Sequence, residues 1–106
     1  MSVERMRLLK ECTPMFLALG DMHRQNILIL LYDKPLTVNE ITRNLSLSRP
    51  AVSHHLKLLL DSKLLQVEQK GKERYYSVTL QASINLLKQL LATFEESTIT
   101  NNDLKY

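Results

Sequence analysis

Cysteine occurs once in these 106 residues, glycine twice, proline three times and tryptophan not at all. A lone Cys12 closes no internal disulfide, which fits a reducing compartment. So little glycine and proline excludes long irregular stretches and any Gly-rich phosphate loop. No run reaches the roughly 18 consecutive apolar residues of a membrane-spanning helix. The leading segment, MSVERMRLLKE, is charged throughout and lacks the apolar centre of a secretion signal. The expectation is a cytoplasmic protein without membrane association. No Ser/His/Asp constellation and no carboxylate pair in an apolar setting is found, so the chain does not read as an enzyme and no cofactor is expected.

What is present is mostly helical pattern. Val3, Met6 and Leu9 form one apolar row, and Phe16, Leu17 and Leu19 another; Thr13-Pro14 between them predicts a kink or restart. Asp21 reads as the N-cap of a helix to about Tyr32, apolar around most of its girth and therefore central. Thr37-Val38-Asn39-Glu40 is a capping-box pattern opening a short helix whose inner row is Val38, Ile41 and Leu45. Asn44 to Leu47 is a turn, after which Ser48 caps a further helix with Pro50 in its first turn. There Val52, Leu56 and Leu59 form a buried stripe. From Leu65 the period changes to two, predicting a strand, a basic tip at Lys70-Gly71-Lys72-Glu73, and a return strand from Arg74 to Val78. A last helix begins at Thr79 with Leu80, Ile84, Leu87, Leu91 and Phe94 in a row. The expected fold is mostly α with a small β-hairpin, in the order helix, helix, helix, helix, strand, strand, helix. Residues 1–97 form a single winged helix-turn-helix domain, and residues 98–106 are expected to be a frayed, polar tail.

Charge is concentrated where that order puts a reading unit. Residues 37–79 hold seven Lys/Arg against four Asp/Glu, a net +3, while the segments before and after come to +1 and −1. Two helices joined by a tight turn form a DNA-reading element, and a helix about 10–12 Å across fits the major groove. Its exposed first half then needs short, polar, donating side chains, which Ser48, Arg49, Ser53 and His54 supply. Lys70, Lys72 and Arg74 of the hairpin lie where a wing reaches backbone phosphates. The bland reading of those cations is that they keep an edge hairpin soluble. His55 lies beside Val52 and Leu59 and reads as a packed, hydrogen-bonded residue. His54 and His55 share no helix face and make a poor metal pair.

Three stretches, FLALGDMHRQNILILL, LSLSRPAVSHHLKLLLDSKLLQV and KGKERYYSV, resemble the ArsR-type (arsenic-repressor-like) winged-helix repressors, over roughly Phe16 to Leu91. The resemblance implies DNA contact at Ser48, Arg49, Ser53 and His54, a wing at Lys70, Lys72 and Arg74, and dimerisation through the first and last helices. Met22-His23 stands where the family has Pro-Thr, and Lys63 where it has Gly, which predicts a strained or differently capped helix end. Metal-sensing members carry a Cys-x-Cys motif or Asp/His/Glu ligand pairs. The corresponding segments here, TVNEITRNL and LQASINLLKQLLATF, contain neither, so no metal site of that kind is expected.

The resulting expectation is a homodimeric regulator of transcription, a repressor, that binds a palindromic duplex operator. The DNA-contact set is Thr37, Ser48, Arg49, Ala51, Ser53, His54, Lys57, Lys70, Lys72 and Arg74. The dimer set is Val3, Met6, Leu9, Leu87, Leu90, Leu91 and Phe94. Two alternatives stay open: a winged-helix protein-interaction module without DNA binding, and a metal- or thiol-responsive repressor with ligands at an atypical place such as Cys12 and His23. No motif identifies the inducer, which stays unknown.

Overall fold

Seven elements follow one another in the computed structural model, which describes residues 3–104, with side chains to Glu95. They are α1 (Val3–Leu19), α2 (Met22–Asp33), α3 (Val38–Arg43), α4 (Arg49–Asp61), β1 (Leu65–Lys70), β2 (Glu73–Val78) and α5 (Gln81–Leu104). This is the expected order, a winged helix-turn-helix.

The helix starts follow from local side chains. Asp21 caps α2 by accepting from the Arg24 N–H at 3.1 Å. The capping box at α3 is complete: the Glu40 N–H donates to Thr37 Oγ1 at 3.2 Å, and the Thr37 N–H donates to Glu40 Oε1 at 3.0 Å. Ser48 caps α4 by accepting from the Ala51 N–H at 3.3 Å. Orphan N–H groups that the opening turn of a helix leaves unsatisfied are thereby paired.

The end of α4 is a Schellman closure, with Lys63 N–H bonded to Leu60 O and Leu64 N–H to Leu59 O, both at 3.0 Å. Its left-handed residue is Lys63 at φ 64°, a conformation that a glycine adopts at less cost. The strain expected from a lysine at this position is present.

One expectation about helix limits is corrected. α1 does not restart at Pro14: Thr13 is an interior residue whose hydroxyl donates to Leu9 O at 2.7 Å, and Pro14 lies inside one continuous helix. The missing Pro14 N–H costs α1 one bond, and the apolar contacts of Cys12, Met15 and Ala18 hold the helix on either side. α5 continues to Leu104, into the stretch expected to be a tail, without a Gly or Pro to stop it; residues 105 and 106 lie outside the described residues.

β1 and β2 pair antiparallel from Leu65↔Val78 to Lys70↔Glu73, leaving a two-residue loop in which Gly71 takes φ 64°. A short third rung joins them: Leu36 and Tyr76 exchange backbone bonds of 3.0 and 2.8 Å. That bridge ties the segment entering α3 to the wing. Leu8, Cys12, Ile27, Leu31, Ile41, Val52, Leu56, Leu59 and Leu64 are fully buried and make one core under the reading unit and α1. No buried side-chain nitrogen or oxygen lacks a hydrogen-bond partner among the described residues.

α5 packs along α1, where Arg5 Nη2 donates to Thr93 O at 2.9 Å and its guanidinium lies over the Phe94 ring. The 24-residue α5 is about 36 Å long at 1.5 Å per residue. It makes the protomer elongated: the radius of gyration is 17.6 Å, against about 13 Å for a compact chain of this length.

Candidate nucleic-acid interface

α4 turns Val52, Leu56 and Leu59 into the core, and this decides what its other faces show. Arg49, Ser53 and Lys57, at i, i+4 and i+8, form an exposed row beside that stripe. Ser48 and His54 are exposed as well, on neighbouring parts of the helix surface, and Ala51 is half-buried. Lys57 pairs with Asp61 at 3.0 Å, an exposed i,i+4 contact that competes little with a phosphate.

The Leu36–Tyr76 bridge swings the wing against the start of α3, and a groove opens between α3, α4 and the hairpin. Arg49 and Ser53 of α4 line one side, Lys72 and Arg74 of the wing another, with Thr37 and Asn39 at the start of α3. Five of the ten residues expected to meet DNA therefore share one concavity, although Thr37 and Arg74 are far apart in sequence. Lys70 lies outside it, stacked over the half-buried Tyr75 ring with Nζ 5.8 Å from the centroid. Tyr76, its neighbour on the opposite face of the strand, is core.

Thr37 needs correction as a direct contact. It is 8% exposed and its side-chain oxygen accepts from Glu40, so it holds α3 in place and forms the groove floor. Sequence reasoning missed two exposed groove residues. Asn39 is exposed and off the inner row Val38, Ile41, Leu45, which is the signal that was available. Glu73 brings a negative charge in among Arg49, Lys72 and Arg74, and its side of the hairpin was not legible from the tip sequence alone.

The dimer set divides. Val3, Met6, Leu9, Leu91 and Phe94 are exposed, and Leu87 is half-buried; Phe16 and Ile84 extend the same exposed apolar surfaces and were not in the expected set. Leu90 is corrected: at 3% exposure it belongs to the protomer's own core. One position along the helix is a 100° rotation, which sends Leu90 inward while Leu91 faces out.

Cys12 is fully buried in the core, and desolvation raises its thiol pKa above the usual value, with the Glu11 charge adding to it. Among the described residues no group of three or more His, Cys, Asp or Glu side chains could hold a metal ion, and no helix is long and apolar enough to cross a membrane. His55 is half-buried on the flank of α4 turned towards α2, with Nδ1 3.3 Å from Arg24 Nη1.

Three helices packed under a capped reading helix, with a basic hairpin beside it, define a winged helix-turn-helix regulator of transcription. Residues 21–67 match the family described as "Bacterial regulatory protein, arsR family". The chain is 37% identical over 73 residues to the transcriptional repressor SdpR of Bacillus subtilis, an alignment covering 66% of this chain and 81% of that one. It belongs to the ArsR family. The fold is shared with an ArsR-like transcriptional regulator from Rhodococcus sp. RHA1, at a TM-score of 0.79, 23% identity, and coverage of 91% of this chain and 93% of that one. It is shared as well with the homodimeric winged helix-turn-helix DNA-binding domain Mb0332 from Mycobacterium bovis, at a TM-score of 0.67, 20% identity, and coverage of 92% and 88%.

Proposed function

We propose that this chain acts in the cytoplasm as a homodimeric repressor, each protomer inserting α4 into the major groove of a palindromic operator while its wing holds adjacent phosphates. The observation that carries this reading is the convergence of Arg49, Ser53, Lys72 and Arg74 on one groove beside an exposed Arg49–Ser53–Lys57 row. Arg49 reads base edges, because its forked donors match a guanine edge. Ser48, Ser53, His54 and Lys57 supply further contacts along the helix, and Lys70, Lys72 and Arg74 neutralise phosphates. Ala51 gives an apolar contact at the helix start, of the kind a thymine methyl accepts.

Dimerisation is supported by the exposed apolar rows of α1 and α5 and by the elongated protomer. Two-fold symmetry then doubles the reading helices and calls for half-sites about 34–36 Å apart, one turn of the duplex. Occlusion of the promoter gives repression, the role named for SdpR.

Selection of bound duplexes from a random pool tests the symmetry and spacing. On the selected duplex, Arg49→Ala is expected to weaken binding by about 10- to 100-fold and relax sequence preference, from ~1–3 kcal/mol of discrimination. Lys72→Ala is expected to weaken all sequences alike and lower the salt slope by about one. Equal losses for both variants on every sequence would contradict the assigned roles.

A further inference from the structure

α1 and the reading helix meet across an open cleft of about 420 Å³, with Pro14, Leu17 and Ala18 on one side and Leu58 and Ser62 on the other. Arg24, from the first turn of α2, spans it. Its Nε donates to Ala18 O at 2.7 Å and its Nη2 to Leu17 O at 3.2 Å, which closes the carboxyl end of α1. The remaining arm, Nη1, points at His55 Nδ1 on α4, 3.3 Å away. Guanidinium nitrogens only donate, so a hydrogen bond here takes Nδ1 as the acceptor, which calls for a neutral ring with its proton on Nε2. A single side chain thus links the end of the platform helix to the flank of the helix that reads DNA.

We infer that Arg24 and His55 form a strut that sets the angle of α4 on the α1 platform, and that a proton on His55 releases it, lowering DNA affinity. This rests on the DNA-binding reading above; Arg24 and His55 act as positioning residues.

The surroundings favour the neutral ring. Burial lowers the His55 pKa below the ordinary value for histidine; the Asp21 carboxylate pulls the other way, while Arg24, His23 and His54 add to the lowering. The His23 and His54 ring centroids lie 5.8 and 6.0 Å from that of His55. Asp61, further along the cleft, is paired with Lys57. A group with a lowered basic pKa binds fewer protons in the docked state than when released. The strut is therefore fully present above the ordinary histidine range and is lost as pH falls through the lowered pKa.

His55→Asn isolates the contribution of His55: Asn keeps an acceptor oxygen close to the Nδ1 position and does not titrate. Affinity for the pool-selected duplex is measured by fluorescence anisotropy from pH 5.5 to 7.5. Wild type is expected to lose about tenfold against His55→Asn towards pH 5.5, a 1.4 kcal/mol difference. Arg24→Gln is expected to cost about tenfold at pH 7.5, and adding His55→Asn to it to cost nothing more. Parallel pH profiles for wild type and His55→Asn overturn the proposal.

Nitrogen-15 spectra of the free protein provide a reading that needs no DNA. The His55 ring is expected as the Nε2–H tautomer at pH 7.5, mixed in Arg24→Gln; an Nδ1–H ring in wild type overturns the strut. If the wild type binds no duplex at any pH, the DNA reading fails, while the tautomer still decides whether the strut exists.

Discussion

The reading half of the molecule, α2 to β2, and the platform, α1 with α5, are both helical, yet they are finished differently. In the reading half each helix start is capped, the end of α4 is closed by a Schellman motif, and the large apolar side chains of α4 face the core. In the platform Leu8, Cys12, Met15 and Leu90 are covered, while Val3, Met6, Leu91 and Phe94 face solvent. Large apolar side chains are exposed in the reading half too, at Met22, Ile29 and Tyr32 of α2. In the platform they form rows along α1 and α5, which the proposed isologous dimer would cover. On the proposed reading, DNA recognition is local to the protomer in chemistry and dependent on the pair in affinity.

That contrast is broken most severely at the platform. Leu91→Glu places a carboxylate on the exposed row without disturbing the protomer core. It is expected to dissociate the dimer in sedimentation and to weaken operator binding by about 100-fold, because the second half-site loses its tether, while the helical circular-dichroism signal persists. A stable, tightly binding Leu91→Glu dimer would remove α5 from the interface.

A smaller effect is expected in the reading half. Thr37→Ala deletes the α3 cap and should cost about 1 kcal/mol in urea unfolding at fixed protein concentration, with the dimer intact. Smallest, and opposite in sign, is Lys63→Gly. The left-handed φ at Lys63 suits glycine, so a gain of a few tenths of a kcal/mol up to about 1 kcal/mol is expected in the same assay, the relief of strain exceeding the added freedom of the unfolded chain. A loss would show that the lysine side chain contributes more than its backbone costs.

Much of the reading half was legible because its signals are short-range. The capping box needs residues three apart, the Val52–Leu56–Leu59 stripe needs one helix, and the hairpin tip needs four consecutive residues. Candidate DNA contacts on α4 followed from asking which positions that stripe leaves outside. Thr37 was misread for the same reason: a capping threonine and a contacting threonine look alike until burial is known. The platform was less legible. Its apolar positions repeat at helical spacing on two faces, and periodicity does not say which face meets α1 and which meets solvent; hence Leu90, expected at the surface with Leu91, belongs to the core.

By itself the sequence determined the order of elements, where most of the helices start, and the sign and place of the exposed charge, because these depend on neighbours within a few residues. Only the tertiary structure decided that Leu36 bridges Tyr76, that Lys72 and Arg74 close a groove with Arg49, and that Arg24 of α2 links the end of α1 to His55. These are meetings of segments distant in the chain. They are selected by how the buried faces pack together, a quantity no local pattern contains.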